Sequence, residues 1–96
     1  MGKRRRTRYD IYADVLATVE RWGLCGLTRI SYGAGIPLDR AKRVVGKLVA
    51  AGFLMVELVG GRRLYGLTVL GATYLELYRR LKKLMEAIEA SQPHEE

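Results

Sequence analysis

The stretch from Leu38 to Thr68 sets the tightest limit on the fold, because it joins a basic helix to a short hairpin tipped with arginines. Leu38, Ala41, Val45 and Leu48 recur at the spacing of one helix face, with Val44 and Val49 at its margins. Asp39, Arg40, Lys42, Arg43, Gly46 and Lys47 are left toward solvent. The helix should stop at Gly52, since glycine suits the position just past a helix C-terminus. Two strand-like runs follow, Leu54 to Val59 and Arg62 to Leu67. Gly60 and Gly61 between them permit the positive φ angles of a two-residue hairpin turn.

The upstream sequence supplies the rest of a small domain. Lys3 to Arg8 is a cationic tail, expected to be mobile. A first helix should begin near Thr7 or Tyr9 and run to about Trp22, with Ile11, Val15, Leu16, Val19 and Trp22 on its apolar face. Gly23 and Gly26 bracket a connection through Leu24 and Cys25 with room for one brief strand. Thr28 is the expected N-cap of a second helix, Arg29 to Ala34, and Gly35-Ile36-Pro37 turns into the third. After the hairpin a last helix is predicted from near Thr68 to about Ala90.

In that last helix Leu70, Tyr74, Leu77, Leu81, Leu84 and Ile88 are separated by alternating fours and threes, an a/d seam of nearly three heptads. Leu75 and Tyr78 broaden the apolar face in the first half, as expected where the helix packs on its own domain, and beyond Arg79 it narrows to Leu81, Leu84, Met85 and Ile88. The predicted class is therefore mostly α with a small β-hairpin wing. It comprises a basic arm (1–8), a winged helix-turn-helix (9–68), a coiled-coil helix (69–90) and a tail (91–96).

The distribution of charge says more than the net +7. Residues 1–66 carry thirteen Lys and Arg against five Asp and Glu, whereas residues 67–96 carry four against five. The excess lies with the third helix and the hairpin, which marks a surface for a polyanion. Arg40, Lys42, Arg43 and Lys47 would reach phosphates and base edges; a merely solvated face is the competing reading, and the order helix, turn, basic helix, hairpin favours DNA. Arg62 and Arg63, on opposite faces of the ribbon by the strand pleat, would track phosphate, where the alternative is edge protection. Arg4, Arg5 and Arg6 would add contacts in the manner of a basic arm, and Arg29 joins the set at the start of the second helix.

Catalysis finds little support. His94 is the lone histidine and lies in the terminal tail, and Cys25 has no His or Asp beside it in the sequence. Neither metal-ligand spacing nor a phosphate-cradling glycine loop is present, so no enzyme, metal or cofactor is expected. No apolar run reaches the roughly 18 residues of a membrane span. A single cysteine fits a reducing interior, and the absence of Asn with one Gln suggests a thermophilic source.

The run Thr28-Arg29-Ile30-Ser31-Tyr32-Gly33-Ala34-Gly35-Ile36 resembles a group of small dimeric archaeal winged-helix DNA-binding proteins, among them Sulfolobus chromatin-associated proteins and ArnR-like regulators. The resemblance continues through Lys47 to Leu54 and the wing exit Tyr65 to Gly71, and covers most of residues 9–85. It implies that the second and third helices form the helix-turn-helix and that the last helices of two chains pair as an antiparallel coiled coil. It implies DNA contacts at Arg40, Lys42, Arg43, Lys47, Arg62 and Arg63, and dimer contacts at Leu77, Leu81, Leu84 and Ile88, to which the stripe adds Met85. The chain departs from the group at Pro37-Leu38, where a Ser-Tyr pair is usual, and at Gly46.

The expected function is double-stranded DNA binding by a homodimeric transcriptional regulator or chromosomal protein, in the cytoplasm and on the nucleoid. No small-molecule substrate is expected. The alternative is a winged helix that binds protein within a larger assembly.

Overall fold

The computed structural model describes residues 5–93. Its elements, in order, are α1 (Arg8–Trp22), α2 (Leu27–Ala34), α3 (Leu38–Ala50), β1 (Leu54–Val59), β2 (Arg62–Leu67) and α4 (Val69–Ala90). These are the class and order that the sequence predicts.

α1 is the beam of the domain. A reciprocal cap starts it: the Asp10 N–H donates to Thr7 Oγ1 at 3.1 Å and the Thr7 N–H donates to Asp10 Oδ2 at 2.8 Å. Val15, Leu16 and Val19 are wholly buried and meet Ile30 of α2, Val45 and Leu48 of α3, Leu54 and Tyr65 of the hairpin, and Leu75 of α4 in one core. The α1–α2 approach requires Gly33, because a Cβ there would lie 2.5 Å from Thr18 Cγ2.

β1 and β2 pair antiparallel from Leu54↔Leu67 to Val59↔Arg62, turning through Gly60 and Gly61 at φ 57° and 79°. Positive φ at both turn residues is what keeps the twist of a tight hairpin. The brief strand expected near Cys25 is a single rung: the Cys25 N–H donates to the Tyr65 carbonyl at 3.1 Å and the Tyr65 N–H returns to Cys25 at 2.8 Å.

Thr68 caps α4 by accepting from the Gly71 N–H at 3.1 Å, while its hydroxyl donates to the Gly52 carbonyl at 2.7 Å. A side chain at Gly71 would strike the Phe53 carbonyl, so α4 starts hard against the loop that leaves α3. Its first half is tied to α1: the Tyr74 hydroxyl donates to the Tyr9 carbonyl at 2.7 Å, Tyr78 to Asp10 Oδ1 at 2.5 Å, and Arg79 pairs with Glu20 at 2.9 Å. Beyond Tyr78 every side chain to Ala90 is exposed except the half-buried Lys82. A 22-residue helix is about 33 Å long, and the overhang of α4 contributes to a molecule 65 Å long but only 27 × 20 Å across.

Several local expectations change. α2 begins at Leu27 with Gly26 as an N-cap that offers no side chain, not at Arg29 with Thr28 as cap. The Cys25–Tyr65 rung keeps the backbone extended up to Gly26, so the helix can begin there, two residues earlier than expected. Trp22 and Leu38, expected on core faces, are each 52% exposed. Both sit at helix ends that overhang the core: Trp22 is the last residue of α1 and Leu38 the first of α3. In α4 the docked face is Gly71, Leu75 and the half-buried Tyr78, while Leu70 and Leu77 already face outward. At about 100° per residue the seam is turned about 100° from that docked face. Among the described residues no helix is long and apolar enough to cross a membrane.

Candidate nucleic-acid interface

α3 buries Ala41, Val45 and Leu48 and leaves Arg40, Lys42, Arg43, Gly46 and Lys47 exposed, which fixes its cationic side outward. Lys42 and Lys47 lie about 140° apart around the helix, with Gly46, Asp39 and Arg43 between them. A groove opens on each flank. One, of about 830 Å³, is bordered by Arg29 and Tyr32 of α2, Lys42 and Gly46 of α3, and Arg62 and Arg63 of the wing. The other, of about 390 Å³, lies between Arg8 and Tyr12 of α1 and Arg40, Arg43 and Lys47 of α3. The sequence-predicted cations are therefore divided between two clefts.

Little of this charge is neutralised internally. Arg43 pairs with Asp39 at 3.8 Å with both side chains mostly exposed, a pair worth little in water. Among the described residues Arg40, Lys42, Lys47, Arg62 and Arg63 form no ion pair. A Cβ at Gly46 would meet nothing within 4 Å, so the helix backbone is open to close approach there. Arg29 is held in place: its guanidinium carbon stands 4.2 Å from the centre of the Trp22 ring. Stacking of this kind orients a cation without consuming its hydrogen-bond donors on a carboxylate.

The amino-terminal arginines differ from one another. Arg6 donates to Asp14 Oδ2 at 2.6 Å, the Ala34 carbonyl at 2.8 Å and the Gly35 carbonyl at 3.0 Å. It thus satisfies carbonyls at the C-terminus of α2, where positive charge also meets the negative end of the helix dipole. Expected in a mobile arm, Arg6 is a clamp between α1 and α2. Arg5 is exposed beside it. Arg4, the remaining arm residue, and His94 lie outside the described residues.

Three groove residues were missed by sequence reasoning. Arg8 and Tyr12 stand one turn apart on α1, a spacing that gives them a common face; they were read as tail and as unassigned helix. Tyr32 is 90% exposed, a large aromatic on the side of α2 away from buried Ile30 and Ala34. An aromatic outside the apolar stripe of an otherwise well-patterned helix is the signal that would have found it.

Cys25 is buried, and burial raises its thiol pKa against the weaker opposing pull of Arg29, which makes it a poor nucleophile. Among the described residues no group of three or more His, Cys, Asp or Glu is placed to hold a metal ion. On α4 the expected pairing residues Leu77, Leu81, Leu84, Met85 and Ile88 are all exposed, Ile88 to 71%.

Comparison with solved structures finds this arrangement repeatedly. Sso10a-2, a DNA-binding protein from Sulfolobus solfataricus, is 29% identical, with 88% of this chain and 87% of that chain covered at a TM-score of 0.79. It is a Sulfolobus DNA-binding protein, in keeping with the resemblance seen in the sequence. A MarR family transcriptional regulator from Silicibacter pomeroyi superposes at 0.71 with 17% identity, over 86% of this chain but 58% of its own. TubR from Bacillus thuringiensis, solved bound to 24 bp of tubC, gives 0.65 with 20% identity over 74% of this chain and 81% of that one. The latter two likenesses concern the fold alone. Curated protein sequences give no significant match. The winged helix-turn-helix family model matches residues 5–86, most of the chain, and the protein belongs to that family.

Proposed function

We propose that the protein binds double-stranded DNA as a homodimer and acts as a transcriptional regulator or a chromosome-organising protein of the cytoplasm. The observation that carries this reading is the exposed face of α3, with cations unpaired among the described residues on both its flanks and two wing arginines beside it. Phosphate contacts from these groups would supply most of the affinity, and a few α3 side chains in the major groove would supply sequence preference. Sso10a-2, similar over nearly the whole of both chains, is itself described as a DNA-binding protein.

The far half of α4 supports the dimer. Leu81, Leu84 and Ile88 form an exposed apolar row on turns that the domain does not cover, and Leu77 extends that row along the outer side of the docked half. Burying a large apolar side chain is worth roughly 1.5–3 kcal/mol, so two such rows gain by pairing. Two DNA-reading domains on one scaffold then bind with avidity.

The test is retention of the purified full-length chain on duplex DNA across a salt series. Binding that weakens steeply with salt supports the reading. A chain that passes through DNA at low salt would instead point to the protein-interacting winged helix.

A further inference from the structure

We infer that the cleft between the start of α1 and α3 is a second phosphate-binding site, and that it takes the DNA strand opposite the one tracked by the wing. This rests on the DNA-binding reading above. Arg8 and Tyr12 face Arg40, Arg43 and Lys47 across this cleft, on the side of α3 turned away from Lys42, Arg62 and Arg63. α3 therefore projects between two basic walls built from different parts of the chain, α1 on one side and the wing with α2 on the other.

That symmetry of charge matches a duplex. An α-helix with its side chains is about 10–12 Å across and the major groove is about 12 Å wide, so a helix seated there has one phosphate chain on each flank. The rows led by Lys42 and Lys47, about 140° apart on α3, are each directed toward one of those chains. A wall on the wing side alone would hold one strand and leave the helix free to roll in the groove. Arg8 closes the opposite side. It is exposed and forms no ion pair among the described residues, and its guanidinium lies 6.0 Å from the Tyr9 ring, too loose a contact to occupy it. The Tyr12 ring beside it is anchored edge-on to Tyr9 at 5.9 Å, which gives the cleft a fixed rim with a hydroxyl able to donate to a phosphate oxygen.

The experiment uses the full-length chain, Arg8→Ala, and the wing variant Arg62→Ala/Arg63→Ala, each checked for native circular dichroism. Three self-complementary duplexes are compared: an ordinary one, one with the 5′ half of each strand made neutral by methylphosphonate linkages, and one with the 3′ half of each strand made neutral, so that both half-sites of a two-fold dimer lose charge on the same side of α3. On the ordinary duplex Arg8→Ala should lower the log–log salt slope by about 0.9 for each protomer bound, the value of one lost phosphate contact, and weaken binding several-fold. On one of the two half-neutral duplexes Arg8→Ala should cost much less, because the strand it faces carries no charge there. The wing variant should lose its effect on the other half-neutral duplex.

An unchanged slope for Arg8→Ala on the ordinary duplex would overturn the second site while leaving DNA binding intact. So would loss of the Arg8→Ala effect and of the wing effect on the same half-neutral duplex, which would place Arg8 on the wing's strand. Absence of salt-sensitive binding by the parent chain would overturn both this inference and the functional reading, and is told apart by the parent measurement alone.

Discussion

α3 and the distal half of α4 are both helices with an outward face that the domain does not use, yet those faces are opposites. That of α3 is cationic and backed by a buried stripe, Ala41, Val45 and Leu48, so its orientation is fixed by its own core. That of α4 beyond Tyr78 is apolar and has no backing, because only Lys82 among the following side chains to Ala90 is even half-buried. A charged face is stable in water while it waits for a partner; an apolar row is not. The difference suits the two helices to separate tasks: α3 to meeting an occasional polyanion, and α4, on the reading proposed above, to a lasting partner of its own kind.

The sharpest way to break this comparison is to charge the α4 row. Leu81→Asp with Leu84→Asp should sediment as a folded monomer, since neither residue touches the buried core, and avidity loss should weaken duplex binding by about 10²–10⁴-fold. A parent chain that already sediments as a monomer at micromolar concentration would remove the dimer from the account.

A second contrast separates the two faces of α4 itself. Leu75, 1% exposed, packs into its own domain, so Leu75→Ala should cost about 2–5 kcal/mol whatever the protein concentration. Leu77→Ala, two residues away on the seam, should destabilise only to the extent that chains are paired. Melting curves at two concentrations read the difference. Equal losses that ignore concentration would mean that the seam is not an interface.

This contrast also shows why the sequence was legible in some respects and not others. Element order, the hairpin turn at Gly60-Gly61 and the starts of α1 near Thr7 and of α4 near Thr68 were readable because local chemistry decides them. The seam from Leu70 to Ile88 was readable as a stripe. Leu75 and Tyr78 were readable as the stretch that packs on its own domain, but not Gly71 beside them or what they meet, because hydrophobic periodicity records that a face is buried without recording by what. For the same reason Trp22 and Leu38 counted as core, although the helices end where the core does. Arg6 looked like its arginine neighbours until the fold brought Asp14 and the end of α2 to it. The division of the α3 cations between two grooves is likewise tertiary, set by where α1 and the wing stand.

A smaller effect tests the polar ties between α1 and α4. The Asp10 carboxyl is held below its ordinary 3.8 chiefly by the hydrogen bond from Tyr78 and next by the Thr7 N–H. A depressed carboxylate stabilises the fold above its ordinary pKa, and that contribution is lost as pH falls below 3.8 through the folded value. Tyr74 is pushed up to about 12, by burial first and the Asp10 charge second, so its contribution is intact below pH 10 and lost between 10 and about 12. Tyr78→Phe should cost about 1 kcal/mol at neutral pH and flatten the acid limb of a melting-temperature profile; because burial and the bond to Asp10 push the Tyr78 hydroxyl up as well, the change should also remove part of the alkaline limb and leave the part due to Tyr74. An acid limb identical to that of the parent would mean that Asp10 draws its support elsewhere.

The most direct test of the central claim, that α3 presents its cationic face to DNA, is the salt dependence of duplex binding by the chain carrying Arg40→Ala, Arg43→Ala and Lys47→Ala. These side chains are exposed, so the fold should persist with stability changes within about 0.5 kcal/mol for each substitution. The log–log slope should fall by about 0.9 for each phosphate contact removed, a drop of more than one unit in all. A folded triple variant that binds with the slope of the parent would contradict the account.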